Sequence, residues 1–137
     1  MKITVTDDFD ACMAIRRAVF VQEQNVPEEL EQDDHDATAV HLLAVADGVP
    51  VGTARLLIDG QSAKIGRVAL LPQARGKGAG AALMRAALDE LRARGVTTAK
   101  LGAQTHAIVF YEKLGFSAYG PEYDDAGIPH RDMSRTL

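Results

Sequence analysis

Arg75-Gly76-Lys77-Gly78-Ala79-Gly80 lies between an apolar run, Ile65 to Leu71, and an alanine-rich segment, Ala81 to Arg94, with helical periodicity. A strand must therefore pass into a helix through a turn that is nearly free of side chains. Glycines at 76, 78 and 80 let backbone N–H groups converge at the positive end of the helix dipole. Arg75 and Lys77 add mobile positive charge beside them. Such a turn binds a phosphate group, and the remaining question is which phosphate carrier.

A nucleotide P-loop requires Gly-x-x-x-x-Gly-Lys-Ser/Thr, but Lys77 is followed by Gly78, with no hydroxyl to hold magnesium. The dinucleotide fingerprint Gly-x-Gly-x-x-Ala is met by Gly76, Gly78 and Ala81. It calls for an acidic residue about 20 positions on to hold a ribose hydroxyl. Val96-Thr97-Thr98-Ala99-Lys100-Leu101 supplies none. The turn also comes late in a short chain, whereas a dinucleotide domain opens with it.

With 137 residues, 47% apolar and 25% charged, the sequence reads as one globular domain over 1–137. A net charge of −4 argues against a general nucleic-acid surface. No run approaches a membrane span, and Asp7-Asp8 interrupts the apolar start that a leader would need. One cysteine, Cys12, cannot form an internal disulfide, and its apolar neighbours mark it as a packed residue. A cytoplasmic protein is expected.

Ile3 and Val5 begin a first strand, and Asp7 or Asp8 caps a helix to about Phe20, with Cys12, Ile15 and Val19 inward. Residues 22–39 read as irregular and acidic. Val40–Ala46, Val51–Ile58 and Lys64–Leu71 read as a meander with turns at Asp47-Gly48 and Asp59-Gly60. After the Ala81–Arg94 helix come a strand over Val96–Ala103 and a short helix over His106–Leu114. One or two closing strands follow around a Gly120-Pro121 turn. The fold class is α/β (α+β): a mixed, mostly antiparallel sheet with helices on both faces.

Arg75-x-x-Gly78-x-Gly80 resembles the coenzyme A signature of the GNAT superfamily of N-acetyltransferases, and Val68-Ala69-Leu70 resembles its fourth strand. Phe110-Tyr111-Glu112-Lys113-Leu114-Gly115-Phe116 resembles its second signature, in the right order and one helix and one strand later. Val19-Phe20-Val21-Gln22-Glu23-Gln24, His41-Leu42, Ile65-Gly66-Arg67-Val68 and Gly127-Ile128-Pro129-His130 are similar to the ElaA-like and YjcF-like branch. The resemblance implies strands 4 and 5 that splay apart, with the pantetheine arm pairing against Val68, Ala69 and Leu70 as an added strand would. It assigns Arg75, Gly76, Lys77, Gly78, Ala79 and Gly80 to the diphosphate. Gln104 stands where the family has a coenzyme-contacting asparagine, and Ala107 is the small residue beside the coenzyme. No metal is implied, and the histidines lack zinc-ligand spacing.

Acetyl transfer to an amine needs a neutral nitrogen, a polarised thioester carbonyl and a proton for the departing thiolate. By resemblance Tyr111 supplies the proton, since a phenol with pKa of about 10 stays protonated at neutral pH. A backbone N–H near Leu70 is the expected oxyanion donor. Neutralising an alkylamine of pKa about 10.4 at pH 7 costs roughly 4–5 kcal/mol, whereas an α-amine costs about 1. An alkylamine acceptor therefore wants a base. Glu23 and His41 are the favoured candidates, with Asp36 and His106 behind them.

Seven acids between Glu23 and Asp36, with no lysine or arginine among them, form either a solvated loop or a wall attracting a cationic acceptor. Arg55 and Arg67 either pair with these acids or meet an acidic acceptor. The expected partners are acetyl-CoA and a small-molecule or peptide amine, with a homodimer through edge strands. The competing function is a coenzyme-binding module that senses acyl-CoA without turnover.

Overall fold

The computed structural model describes residues 1–137 and shows seven strands in one sheet, ordered β1-β2-β3-β4-β5-β7-β6. The strands are β1 (Lys2–Thr6), β2 (Val40–Ala46), β3 (Val49–Asp59), β4 (Ser62–Leu70), β5 (Thr98–Gln104), β6 (Ser117–Asp125) and β7 (Ile128–Thr136). All neighbours are antiparallel except β4 and β5, which the crossover helix makes parallel. The expected meander is present. Its first turn has positive φ at both Asp47 (52°) and Gly48 (77°), the combination that suits the twist of a two-residue hairpin.

The helices are α1 (Phe9–Arg16), α2 (Glu28–Glu31), α3 (Ala79–Ala93) and α4 (Ile108–Glu112). Asp8 caps α1 by accepting the Ala11 N–H at 3.1 Å. Where the sequence predicts one helix to Phe20, α1 instead widens into a π-turn over Arg17–Glu23. The acidic stretch is less irregular than predicted, because α2 starts directly after Pro27 and a 3₁₀ turn follows over Asp34–Ala37. Both α3 and α4 end in glycine. At each, the N–H after the glycine reaches back five residues, from Val96 to Leu91 (3.0 Å) and from Phe116 to Tyr111 (3.1 Å).

Two features near the C-terminus and in β4 depart from simple strands. Gly120-Pro121 is not a turn but an irregularity within β6, where the register shifts between Tyr119 and Tyr123. The chain reverses instead at Ala126-Gly127, both with positive φ. In β4, Arg67 and Val68 together face Ala54 of β3, and Arg67 takes φ 51°. This is a β-bulge, which re-aims the strand beyond it.

Two cores sandwich the sheet. Leu83, Met84, Ala87, Leu88 and Leu91 of α3 pack on Leu42, Leu56, Ile65, Leu101 and Met133. On the opposite face Cys12, Ile15 and Val19 pack on Leu43 and Ala69. Burial raises the Cys12 thiol above its ordinary pKa, which keeps it an inert packed residue.

Candidate active site

The strand-to-helix turn is built as its glycines require. Gly76 (φ 75°) and Gly78 (φ 77°) occupy the left-handed region, which costs any L-residue roughly 1–2 kcal/mol. Gly78 sits at the N-cap of α3, so the helix begins two residues earlier than the apolar pattern predicts. No side chain caps this end. The first N–H groups of a 15-residue helix therefore point outward without a side-chain acceptor. Gly80 lies where a Cβ would meet Phe110 at 3.4 Å and Leu70 at 3.5 Å, which brings α4 and the end of β4 against the turn.

β4 and β5 pair only at Ser62–Lys64 with Thr98–Lys100, then separate. Beyond Lys64, β4 stays bonded to β3 on one side, through Thr53–Ala69 and Gly52–Leu70, while its other edge is bare. β5 remains paired with β7 as far as Gln104. The result is a wedge-shaped gap lined on one side by the main chain of residues 65–70. Val68, Leu70 and Tyr111 all pack against the α3-side core. Tyr111 stacks edge-on between Phe110 and Phe116, and burial pushes its phenol up to about 12.

Several predicted side chains are placed differently from expectation. His41 does not open into the gap. It is 8% exposed, edge-on to Phe9 of α1, with Nε2 3.0 Å from the Asp36 carbonyl. Glu23 makes two 2.7 Å hydrogen bonds with the guanidinium of Arg75. That pairing holds its carboxyl below the usual range, which weakens it as a base. Arg75 also donates Nε–H to the Leu70 carbonyl at 3.1 Å, so the same side chain spans the end of β4 and the glycine turn. The amide of Gln104 donates to Gln24 at 2.9 Å, and its oxygen lies 2.7 Å from His106 Nε2. A coenzyme contact through Gln104 would have to displace these partners. Ala107 is the N-cap residue of α4.

Across residues 5–137 the sequence matches the family model described as an acetyltransferase (GNAT) domain. The chain belongs to the GNAT acetyltransferase family. It is 35% identical to the uncharacterized N-acetyltransferase YjcF of Bacillus subtilis, over 88% of this chain and 87% of that protein. An acyl-CoA N-acyltransferase from Pseudomonas aeruginosa superposes with a TM-score of 0.88 and 33% identity, covering 98% of this chain and 99% of the other. The crystal structure of Escherichia coli ElaA gives a TM-score of 0.86 and 30% identity, with 98% and 97% covered. This GNAT protein is therefore an acyltransferase, and its resemblance to the ElaA and YjcF branch holds. The bare β4 edge and the uncapped α3 terminus lie on a fold that binds acetyl-CoA and an amine acceptor.

The acidic stretch of this GNAT chain turns out to be largely neutralised from within. Arg16 (1% exposed) donates to Glu31 at 2.5 Å and to Asp36 at 2.8 Å. Arg55 donates to Asp33 at 2.6 Å and to Asp36 at 3.1 Å. Arg67, swung out by the bulge, donates to the Glu31 carbonyl at 3.0 Å. Three arginines thus oppose Glu31, Asp33 and Asp36, so the wall offers a cationic acceptor less free charge than the sequence implies. Burial pushes the Asp36 carboxyl up, but hydrogen bonds and charge from Arg16 and Arg55 outweigh this and hold it at about 2. Arg16 was not anticipated. Its signal was position: it lies four residues after Cys12 and three before Val19, on the face that those residues bury.

Proposed function

We propose that this chain moves an acetyl group directly from acetyl-CoA to a primary amine, with no acyl-enzyme intermediate. The observation that carries this reading is the convergence of a bare strand edge, an uncapped helix terminus and a half-buried tyrosine on one gap. The amides of residues 76–80, with Lys77 and Arg75, take the diphosphate. The amide-rich pantetheine arm pairs with the main chain of Val68, Ala69 and Leu70. An N–H near Leu70 faces the oxygen on which charge develops as the amine attacks.

Tyr111 is the acid in this scheme. A phenol raised to about 12 is fully protonated at neutral pH and gives its proton to a thiolate as the carbon–sulfur bond breaks. Direct transfer is supported by the state of the only cysteine, which is buried, raised in pKa and without a histidine partner among its hydrogen bonds. The decisive variant is Tyr111→Phe, which keeps the ring packing and removes the proton. Thiol release in the presence of an amine panel should fall about 10²-fold in kcat while acetyl-CoA affinity changes little. An unchanged rate would remove Tyr111 from this role. Tight acetyl-CoA binding with no amine-dependent thiol release in the unmodified protein would favour the sensor instead.

A further inference from the structure

The helices leave one sheet face open beside the gap. On β5 and β7, Leu101, Ala103 and Met133 point into the α3-side core. Their neighbours of opposite parity, Gly102, Gln104, His130 and Asp132, therefore face the other way, in the register Gly102–Asp132 and Gln104–His130. On that side α1 packs over β2, β3 and β4 and does not extend to β7. Gln104 is hydrogen-bonded to Gln24, the residue that ends the π-turn, so the open face borders the end of the first helix. It also lies at the end of β5 where β4 has already separated.

Three features of this face belong together. Tyr123 of β6 stacks on His130, with centroids 5.8 Å apart and planes 23° from parallel. Its hydroxyl donates to Asp132 Oδ1 at 2.8 Å and lies so low over Gly102 that a Cβ there would sit 2.5 Å from it. Only glycine at 102 allows the ring to lie in this position. The second oxygen of Asp132 accepts no hydrogen bond from the protein. His130 Nδ1 is 2.7 Å from the Ile128 carbonyl. A carbonyl only accepts, so Nδ1 carries the proton, and in the neutral ring the lone pair is on Nε2. Nε2 has no protein partner.

The other candidate bases are engaged. Glu23 is held by Arg75, Asp36 by Arg16 and Arg55, His41 by the Asp36 carbonyl, and His106 by Gln104. We infer that this face is the acceptor site for a cationic alkylamine, with Tyr123 and Asp132 as the floor that holds its ammonium and His130 Nε2 as its base. The inference rests on the acetyltransferase reading above and deepens it. An ammonium is held by the free Asp132 oxygen and the ring of Tyr123, both of which favour positive charge.

His130 Nε2, directly or through one water, takes a proton from the ammonium and releases it to solvent. The neutral nitrogen then attacks the thioester carbonyl carbon, and the carbonyl pair moves to oxygen. As that pair returns, the carbon–sulfur bond breaks. The nitrogen gives its surplus proton to Nε2, which releases it to solvent, and the thiolate takes one from Tyr111, which recovers it from solvent. The net products are the amide, free coenzyme A and one proton released to solvent.

His130→Asn is the sharpest test, because the asparagine amide can still donate to Ile128 while the Nε2 lone pair is gone. Thiol release is measured with tyramine, cadaverine and lysine ethyl ester as alkylamines, and with methoxyamine, which is neutral at pH 7. The variant should lose about 10²-fold in kcat/KM with the alkylamines and only a few-fold with methoxyamine. Melting temperature and acetyl-CoA affinity should be unchanged, and added imidazole should restore part of the rate. Wild-type rates in the variant, or equal losses with both amine classes, would overturn the assignment while leaving the enzyme intact. A wild-type protein that binds acetyl-CoA yet releases no thiol with any amine would sink both this inference and the enzymatic reading. If His130→Asn does not fold, ¹⁵N shifts of the wild-type ring decide: a proton on Nε2 rather than Nδ1 at neutral pH overturns the base.

Discussion

Two regions that meet β4 are made of different materials. The donor side consists of main chain: a bare strand edge and the first amides of α3. The acidic segment, residues 28–37, is tied to α1, β3 and β4 by side chains, with Arg16, Arg55 and Arg67 gripping Glu31, Asp33 and Asp36. A site built of backbone tolerates change in most of its residues but not in those that set φ. A wall built of ion pairs fails when one partner is removed, because the other is left buried and charged. Each side should therefore break in its own way.

The largest effect is expected on the donor side. Gly78→Glu should abolish acetyl-CoA binding while the protein still folds, since a Cβ at 78 meets nothing within 4 Å. The loss comes from a φ of 77° that glutamate resists, and from negative charge set where the diphosphate lands. Gly78→Ala separates these causes, as it carries the strain alone and should weaken binding only partly. Calorimetric titration with acetyl-CoA reads both variants, and an unmoved affinity in Gly78→Glu would refute the diphosphate site.

On the walled side the effect should appear in stability. Arg16→Leu leaves buried Glu31 with only Arg67 and Asp36 with only Arg55, and should cost roughly 3–5 kcal/mol in urea unfolding. A cost under about 1 kcal/mol would mean that water already reaches these charges. The same cluster sets an acid limit. Asp36 is depressed from 3.8 to about 2, so its contribution is complete above 3.8 and is lost as pH falls from there towards 2. Arg16→Leu should flatten that part of the stability profile.

The same division explains what could be read in the sequence. Glycine spacing, strand alternation and the Asp47-Gly48 turn are local signals, and they located the meander and the α3 turn. The π-turn at Arg17–Glu23 was not legible, since its residues follow an ordinary helical pattern. Nor was the β6 irregularity at Gly120-Pro121, because such a pair marks a turn as often as a bulge. His41 was misplaced for a different reason. Alternation says which strand residues share a face, but not whether a helix covers that face, and α1 covers His41. His130 was passed over because its interest comes from Ile128, Tyr123 and the open face around it. Tyr123 and Asp132, nine residues apart, meet only through the β6–β7 register.

The Glu23–Arg75 pair links the end of the π-turn to the donor side, and it carries the smallest predicted effect. Arg75 is bound through both terminal nitrogens to Glu23, at the end of the π-turn. A diphosphate arriving at the glycine turn must compete for that guanidinium. Glu23→Gln keeps the shape, removes the charge and frees Arg75 for the incoming anion. Both side chains are substantially exposed, so the gain should be about twofold in acetyl-CoA affinity at low salt and should fade as salt is raised. If Glu23 were instead the base, the same variant would lower kcat steeply and leave affinity alone. The two outcomes move different constants, so one kinetic series with Glu23→Gln decides whether this carboxylate guards the donor site or takes part in the chemistry.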